Sequence, residues 1–228
     1  MIDKRSERKA KPTRADRRML RNRKALLDAA EKLFAEKGLE RVTIDEITEA
    51  ADLAKGTFYT YFNDKNEIAQ DLAQAIRCGI RDEVAVAEQG IHDPAGQLVA
   101  GIAVCLRAAA VFPARAAVLA RMYSIWLTAD ANREFLLYKD LENGYRSGRF
   151  SFGDLQIGIV LTVGAVQAGI NRALQLGEWD SIRTLALALS EAVLRGLGMR
   201  GHEARAVAGK VTDRVFAKEF QGTAGQAS

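Results

Sequence analysis

The chain has 228 residues, 48% apolar and 27% charged, with 2 cysteines, 2 histidines and a formal net charge of +4. That length buries a sizeable core, and the balance excludes a disordered chain, a fibrous repeat and a disulfide scaffold. Only 3 prolines and 7% aromatic residues, abundant Ala, Leu, Arg and Glu, and no stretch with the alternation of a half-buried strand predict an all-α protein.

The charge is unevenly spread. Residues 1–24 hold 11 Lys or Arg against 3 Asp or Glu, a net of +8 that leaves −4 on the other 204. Residues 1–16, polar and interrupted by Pro12, are expected to form a disordered basic arm. A polyanion partner contacted from one end fits that arm; a merely solvated tail has the same composition. The N-terminal stretch lacks a secretory apolar core, which points to the cytoplasm. Cys78 and Cys105 lack the spacing of a zinc or redox motif and are expected to be buried free thiols.

From residue 17 to 37, Leu20, Leu26, Leu27, Ala30, Leu33 and Phe34 gather on one helical face, and Gly38 suits a left-handed cap. "TIDEITEA" follows, with Thr43 and Glu46 in capping-box register and Ile44 and Ile47 as the inward face. About three residues later a second helix starts near Ala54. Two short helices so closely joined form a helix-turn-helix. Asp64 and Glu67 then repeat the capping-box spacing and open a long helix toward Glu88.

Residues 89–96 break the chain. Helices are expected at about 95–111, 113–130 and 131–146, with Pro113 in a first turn. Residues 155–171, "LQIGIVLTVGAVQAGIN", contain no charge over 17 positions. A membrane span needs about 20 apolar residues, and this run carries Gln156, Thr162, Gln167 and Asn171, so a buried helix is expected and no membrane partner. Gly158, Gly164, Ala165, Ala168 and Gly169 let another helix approach closely. With a second apolar helix at about 181–197, a four-helix dimer interface is expected; packing within one monomer's core is the alternative. Residues 202–220 add a last helix.

The second helix of the pair, "LAKGTFYTYF" with its preceding residues, sorts into two faces at 100° per residue. Ala54, Phe58 and Tyr61 fall on one side, expected to be core. Gly56, Thr57, Tyr59 and Thr60 fall on the other, with Lys55 at its margin. A small, hydroxyl-bearing face beside a cation suits a DNA major groove. Lys55 can reach a guanine edge or a phosphate, and Thr57 and Thr60 can donate, accept or touch a thymine methyl. Gly56 lets the backbone come close. Tyr59 and Tyr61 suit phosphates, as do Thr43 at its helix N-terminus and Lys65 on the next helix.

Residues 42–68, "VTIDEITEAADLAKGTFYTYFNDKNEI", resemble the DNA-binding signature of the TetR family of transcriptional regulators. Asp52 stands where that signature often has a turn glycine, and Ala54 where it often has serine. The resemblance covers about 50 N-terminal residues. It implies an all-helical homodimer with a helix-turn-helix head, residues 17–66, on a ligand-sensing and dimerisation body, residues 67–228. It implies a repressor released from a palindromic operator by a small-molecule effector, with no cofactor and no metal. An activator of the same architecture, or a non-specific architectural DNA-binding protein, is the alternative. Phe112, Met122, Tyr123, Trp126 and Tyr138 are the candidate lining of an effector cavity. His92 and His202 belong to no metal or nucleophile motif, and no phosphate-cradling glycine loop is present, so an enzyme is not expected.

Overall fold

The computed structural model describes residues 13–126 and 137–217, with side chains as far as Ala120 in the sixth helix. Met122, Tyr123 and Trp126 therefore lie outside the described side chains. The order is α1 Arg14–Lys37, a 3-10 turn Leu39–Arg41, α2 Ile44–Ala50, α3 Lys55–Phe58, α4 Lys65–Glu88, α5 Pro94–Val111, α6 Pro113–Trp126, α7 Tyr138–Arg146, α8 Leu155–Leu176, α9 Trp179–Gly196 and α10 Gly201–Ala217. No strand occurs among the described residues.

α1 begins three residues earlier than its apolar face predicts. The Thr13 hydroxyl accepts from the Asp16 backbone N–H at 3.1 Å, and the Asp16 carboxylate accepts from the Thr13 N–H at 2.8 Å. This capping box satisfies two donors at the helix start. Residues 13–16 are thus the first turn of a helix and not the end of a disordered arm; residues 1–12 lie outside the described residues. Gly38 stops the helix with φ of 82° but ψ of 153°, outside the left-handed helical region expected of it. Such a backbone is open essentially to glycine alone.

The head closes on a small core of Leu26, Ala30 and Phe34 from α1, Ile47 from α2, Phe58 and Phe62, and Ile68 and Leu72 from α4, each 4% exposed or less. α4 then runs on as one continuous helix into the body, where Glu83, Val84 and Ala87 are buried. A head and a body that share an uninterrupted 24-residue helix move together unless that helix tilts.

α5 is the axis of the body. Pro94 opens it, Asp93 caps the Ala95 N–H, and its residues from Ala95 to Ala109 are almost all buried. α4, α6, α7, α8, α9 and α10 all pack on it. α5 and α8 are both long and apolar enough to cross a membrane by length and composition, with 78% and 44% of their apolar windows buried. Six surrounding helices explain the apolar character of α5. α8 has two faces. A methyl at Gly158 would meet the Phe152 ring at 2.5 Å, and one at Gly169 would meet Leu189 at 2.6 Å. These two glycines admit neighbours from the same chain, not a partner helix as their sequence context had implied. Gly164 has nothing within 4 Å. Beside it lie Ile157, Val160 and Leu161, 63%, 52% and 38% exposed, at the spacing of one helical face.

Two contacts between ionisable side chains lie within the body. Arg107 of α5 donates to Glu83 of α4 at 3.1 Å and to the Val215 carbonyl of α10 at 2.5 Å. Asp140 of α7 hydrogen-bonds Glu88 at the end of α4, and burial with that neighbouring carboxylate pushes Asp140 up to about 7. Of the cysteines, Cys105 is buried as expected, but Cys78 is exposed. It sits on the outer face of α4, where the Gln74 amide approaches its sulfur at 3.7 Å.

Candidate nucleic-acid interface

α2 starts where its capping box fixes it. Thr43 Oγ1 accepts from the Glu46 N–H at 3.2 Å, and the Glu46 carboxylate accepts from the Thr43 N–H at 2.8 Å. Lys37 of α1 grips the same carboxylate at 2.7 Å. Lys37 first, then the Thr43 backbone and hydroxyl, bring Glu46 down to about 2. The turn after α2 rests on Asp52, whose φ of 54° is the only positive value at a described non-glycine residue. Aspartate tolerates that geometry better than most residues, so the loss of the turn glycine leaves the crossing intact.

The second helix is shorter than its wheel implies. Regular geometry spans only Lys55–Phe58, after which Thr60, Tyr61 and Phe62 continue as a tight turn, donating to the carbonyls of Thr57, Phe58 and Phe58. Ala54 is the N-cap with no side-chain bond, and it is exposed. Its expected place in the core is wrong, because a cap residue has extended backbone and the helical wheel does not apply to it. Phe58 and Phe62, 0% and 2% exposed, anchor the segment instead, with ring centres 5.6 Å apart.

The opposite side is open. Lys55, Gly56, Tyr59 and Thr60 are exposed, and Thr57 and Tyr61 are half-buried, Tyr61 resting against the core. A methyl built on Gly56 meets nothing within 4 Å, so no packing within this chain calls for glycine there. Tyr59 stands edge-on to Phe58, ring centres 5.5 Å apart, with 52% of its surface exposed. The Thr60 hydroxyl donates weakly, at 3.4 Å, to the Gly56 carbonyl.

Two lysines frame this surface. Lys55 Nζ lies 2.7 Å from one Asp45 oxygen and 3.0 Å from the other, and that contact holds the ammonium above the ordinary lysine range. Sequence reasoning missed Asp45. Its only signal was a carboxylate in the first turn of α2, ten residues before a lysine. Lys65 donates to the Glu40 carbonyl at 3.2 Å, tying the 3-10 turn to the start of α4. Asp64 caps α4 as its spacing predicts, accepting from Asn66 and Glu67. Glu67, however, accepts from the Asn63 backbone and side-chain amides at 2.6 and 2.8 Å, one residue beyond the Asp64 N–H of the expected box.

Of the candidate cavity residues whose side chains are described, Phe112 lies at the α5–α6 corner with the Arg115 guanidinium 5.3 Å above its ring. Arg115 also bonds Glu31 of α1 at 3.2 Å, a bridge between body and head. Tyr138 opens α7 beside Leu137, which seats against Gly101 in the middle of α5. Phe112 is 11 residues beyond Gly101, roughly 16 Å along the helix axis. The two aromatics therefore belong to different levels of the body. His92 and His202 are exposed, and no group of three or more metal-ligating side chains forms among the described residues.

The head matches the model of bacterial regulatory proteins of the tetR family over residues 26–72, and the body matches the tetracyclin repressor-like C-terminal domain over residues 93–210. The second match alone spans more than half of the chain. The chain belongs to the TetR family. That family is one of bacterial regulatory proteins, and a helix-turn-helix head on a helical body is the architecture seen in this chain. Among curated relatives it is 36% identical over 59 residues to the uncharacterized HTH-type transcriptional regulator YvdT of Bacillus subtilis, covering 26% of this chain and 30% of that protein. It is 28% identical over 117 residues to the probable acrEF/envCD operon repressor of Escherichia coli, 50% of this chain and 51% of that one. The chain thus spans about half or less of the curated relatives it matches. Solved structures extend further. RolR in complex with resorcinol has a TM-score of 0.55 at 28% identity, over 84% of this chain and 95% of that chain. A TetR-like regulator from Rhodococcus sp. RHA1, at 21% identity, shares the fold with a TM-score of 0.62 over 83% and 100%.

Proposed function

We propose that this protein is a homodimeric repressor that leaves a palindromic operator when a small organic molecule binds its body. The observation that carries the operator contact is the two-sided build of the recognition segment. Phe58 and Phe62 are almost fully buried while Gly56 on the other side faces empty space. An open backbone beside exposed hydroxyls and a lysine lets the wall of a DNA groove come close. Lys55, Thr57, Tyr59 and Thr60 meet base edges or nearby phosphates there, and Tyr61, Thr43 and Lys65 hold the flanking backbone. Tyr61 acts through its hydroxyl, since its ring rests on the core.

Dimerisation rests on the exposed α8 stripe of Ile157, Val160, Leu161 and Gly164, flanked by α9. Apolar side chains more than a third exposed at helical spacing fit a four-helix contact with a second copy. Two heads so joined read half-sites one helical turn apart or a multiple of it, roughly 34–36 Å.

Repression is proposed by likeness to the probable operon repressor of Escherichia coli, and a small-molecule effector by likeness to RolR, solved with resorcinol. Phe112 and Tyr138, on different levels of the body, are alternative rather than joint contacts for one small molecule; Met122, Tyr123 and Trp126 lie outside the described side chains. An effector acts by preferring one tilt of α4, the helix common to head and body, so it must bind the two states unequally. Selection of genomic fragments by the purified protein, followed by titration of the recovered site with candidate effectors, tests the proposal. Recovery of palindromic sites released by a small molecule supports it; fragments without shared sequence contradict it.

A further inference from the structure

The first two turns of α1 carry a charge pattern that the recognition segment does not use. Arg14, Arg17, Arg18 and Arg21 follow one another at the spacing of a single helix face, and all four are exposed. The one carboxylate among them, Asp16, is committed to the capping box with Thr13. The cations that follow each have an acidic partner: Arg23 pairs with Asp71 and Lys24 with Asp28. No carboxylate among the described residues pairs with the four arginines.

These turns also stand clear of the head. Met19 and Leu20, on the other side of the helix from the stripe, are still 52% and 44% exposed, and the buried part of α1 begins at Leu26. Arg23 sets where the overhang begins. Its guanidinium bonds Asp71 of α4 and lies 5.4 Å from the ring centre of Phe62, the last residue of the recognition segment. The stripe therefore starts about 3 Å and ends about 14 Å along the axis from the residue that sits on Phe62.

We infer that Arg14, Arg17, Arg18 and Arg21 form a second DNA surface that grips the phosphate backbone flanking the half-site read by α3. The inference rests on the operator contact proposed above. Four guanidinium groups occupy about 10 Å of helix, a length over which duplex DNA presents about six phosphate charges. Guanidinium pairs with phosphate in a fixed fork. Held on a capped helix, these side chains lose less backbone freedom on binding than a disordered arm would. Their contacts strengthen binding without reading sequence.

The experiment titrates the full chain against its selected operator in two duplexes, one ending at the palindrome and one with about ten further base pairs on each side. Wild type is expected to bind the longer duplex at least several-fold tighter. The variant R14Q/R17Q/R18Q/R21Q is expected to lose that advantage while keeping its preference for operator over scrambled DNA. Its salt slope on the longer duplex should fall by about 3–4 per head, near 0.9 for each lost phosphate contact. Replacing the four by lysine should retain most of the slope, and circular dichroism of both variants reports whether the helix survives. Equal affinity of wild type for the two duplexes overturns the inference, as does a flank advantage that the glutamine variant keeps. Arginine-dependent binding to anionic vesicles without any flank effect also overturns it, in favour of a membrane surface. Absence of operator preference in wild type would instead sink the regulator proposal itself.

Discussion

Lys55 and Asp45 hold each other across the turn of the helix-turn-helix, the ammonium 2.7 Å from the nearer carboxylate oxygen. Both side chains are more than half exposed, so the contact adds little to folding. Its effect is on what Lys55 is free to touch. On the proposed operator contact, Asp45 competes with DNA for the Lys55 ammonium. The carboxylate also repels the phosphates that approach it. Asp45→Asn is therefore expected to tighten binding to operator and scrambled duplex alike, by roughly two- to fivefold, and to leave the ratio between them unchanged. Anisotropy titrations of both duplexes at one salt concentration measure that ratio; a changed ratio would contradict the competition.

Gly56 has empty space where a side chain would go. Gly56→Ala should leave the thermal midpoint unchanged or slightly raised, because alanine favours helix by about 1 kcal/mol over glycine. Operator affinity should nevertheless fall. Tyr59→Phe and Thr60→Val should each cost about 1–3 kcal/mol if the lost hydroxyl meets a base, with altered preference at one position. A uniform loss over all sequences would assign the hydroxyl to a phosphate.

Asp140 and Glu88 give the body a pH dependence of definite sign. Both are raised, Asp140 from 3.8 to about 7, chiefly by burial. The folded protein thus holds more protons than the unfolded chain between those limits. Stability contributed by the protonated pair is present in full below about pH 4 and is lost as pH rises toward about 7, with a slope of at most about 1.4 kcal/mol per unit for Asp140. Asp140→Asn should flatten that part of the profile and raise the midpoint at pH 8. Urea unfolding at several pH values checks it, and a wild-type slope of opposite sign across this window, attributable to Asp140 by the variant, would refute it.

Glu83 and Arg107, both about 5% exposed or less, join α4 to α5. Removing one partner leaves the other charge buried, at a cost of about 3–5 kcal/mol. Arg107→Met is expected to lower the midpoint markedly, and the double change Glu83→Leu with Arg107→Met to recover much of the loss.

Much of this was legible in the sequence because it is local. The Thr43 and Glu46 box and the break at Gly38 each follow from residues within one turn of each other, and Asp52 falls where the TetR signature often has a turn glycine. Thr13 and Asp16 carry the same capping-box signal, but the charge and Pro12 around them resemble disorder and mask the start of α1. Ala54 eludes a helical wheel, which assumes helix where a cap is extended. Cys78, Gly158 and Gly169 needed tertiary information. Whether a helical residue faces inward depends on which neighbour arrives, and α5, more completely covered than α8, does not announce that in its composition. Asp45 pairs across a crossing whose geometry no spacing rule predicts.

The central claim is that the open face of α3 reads a specific operator. Equilibrium titration of the purified protein against its selected palindrome and a scrambled duplex of equal length, at physiological salt, tests it directly. The account predicts a preference of about a thousandfold or more for the palindrome, reduced sharply by Tyr59 or Thr60 substitution. Equal affinity for the two duplexes, or a preference indifferent to both substitutions, would contradict it.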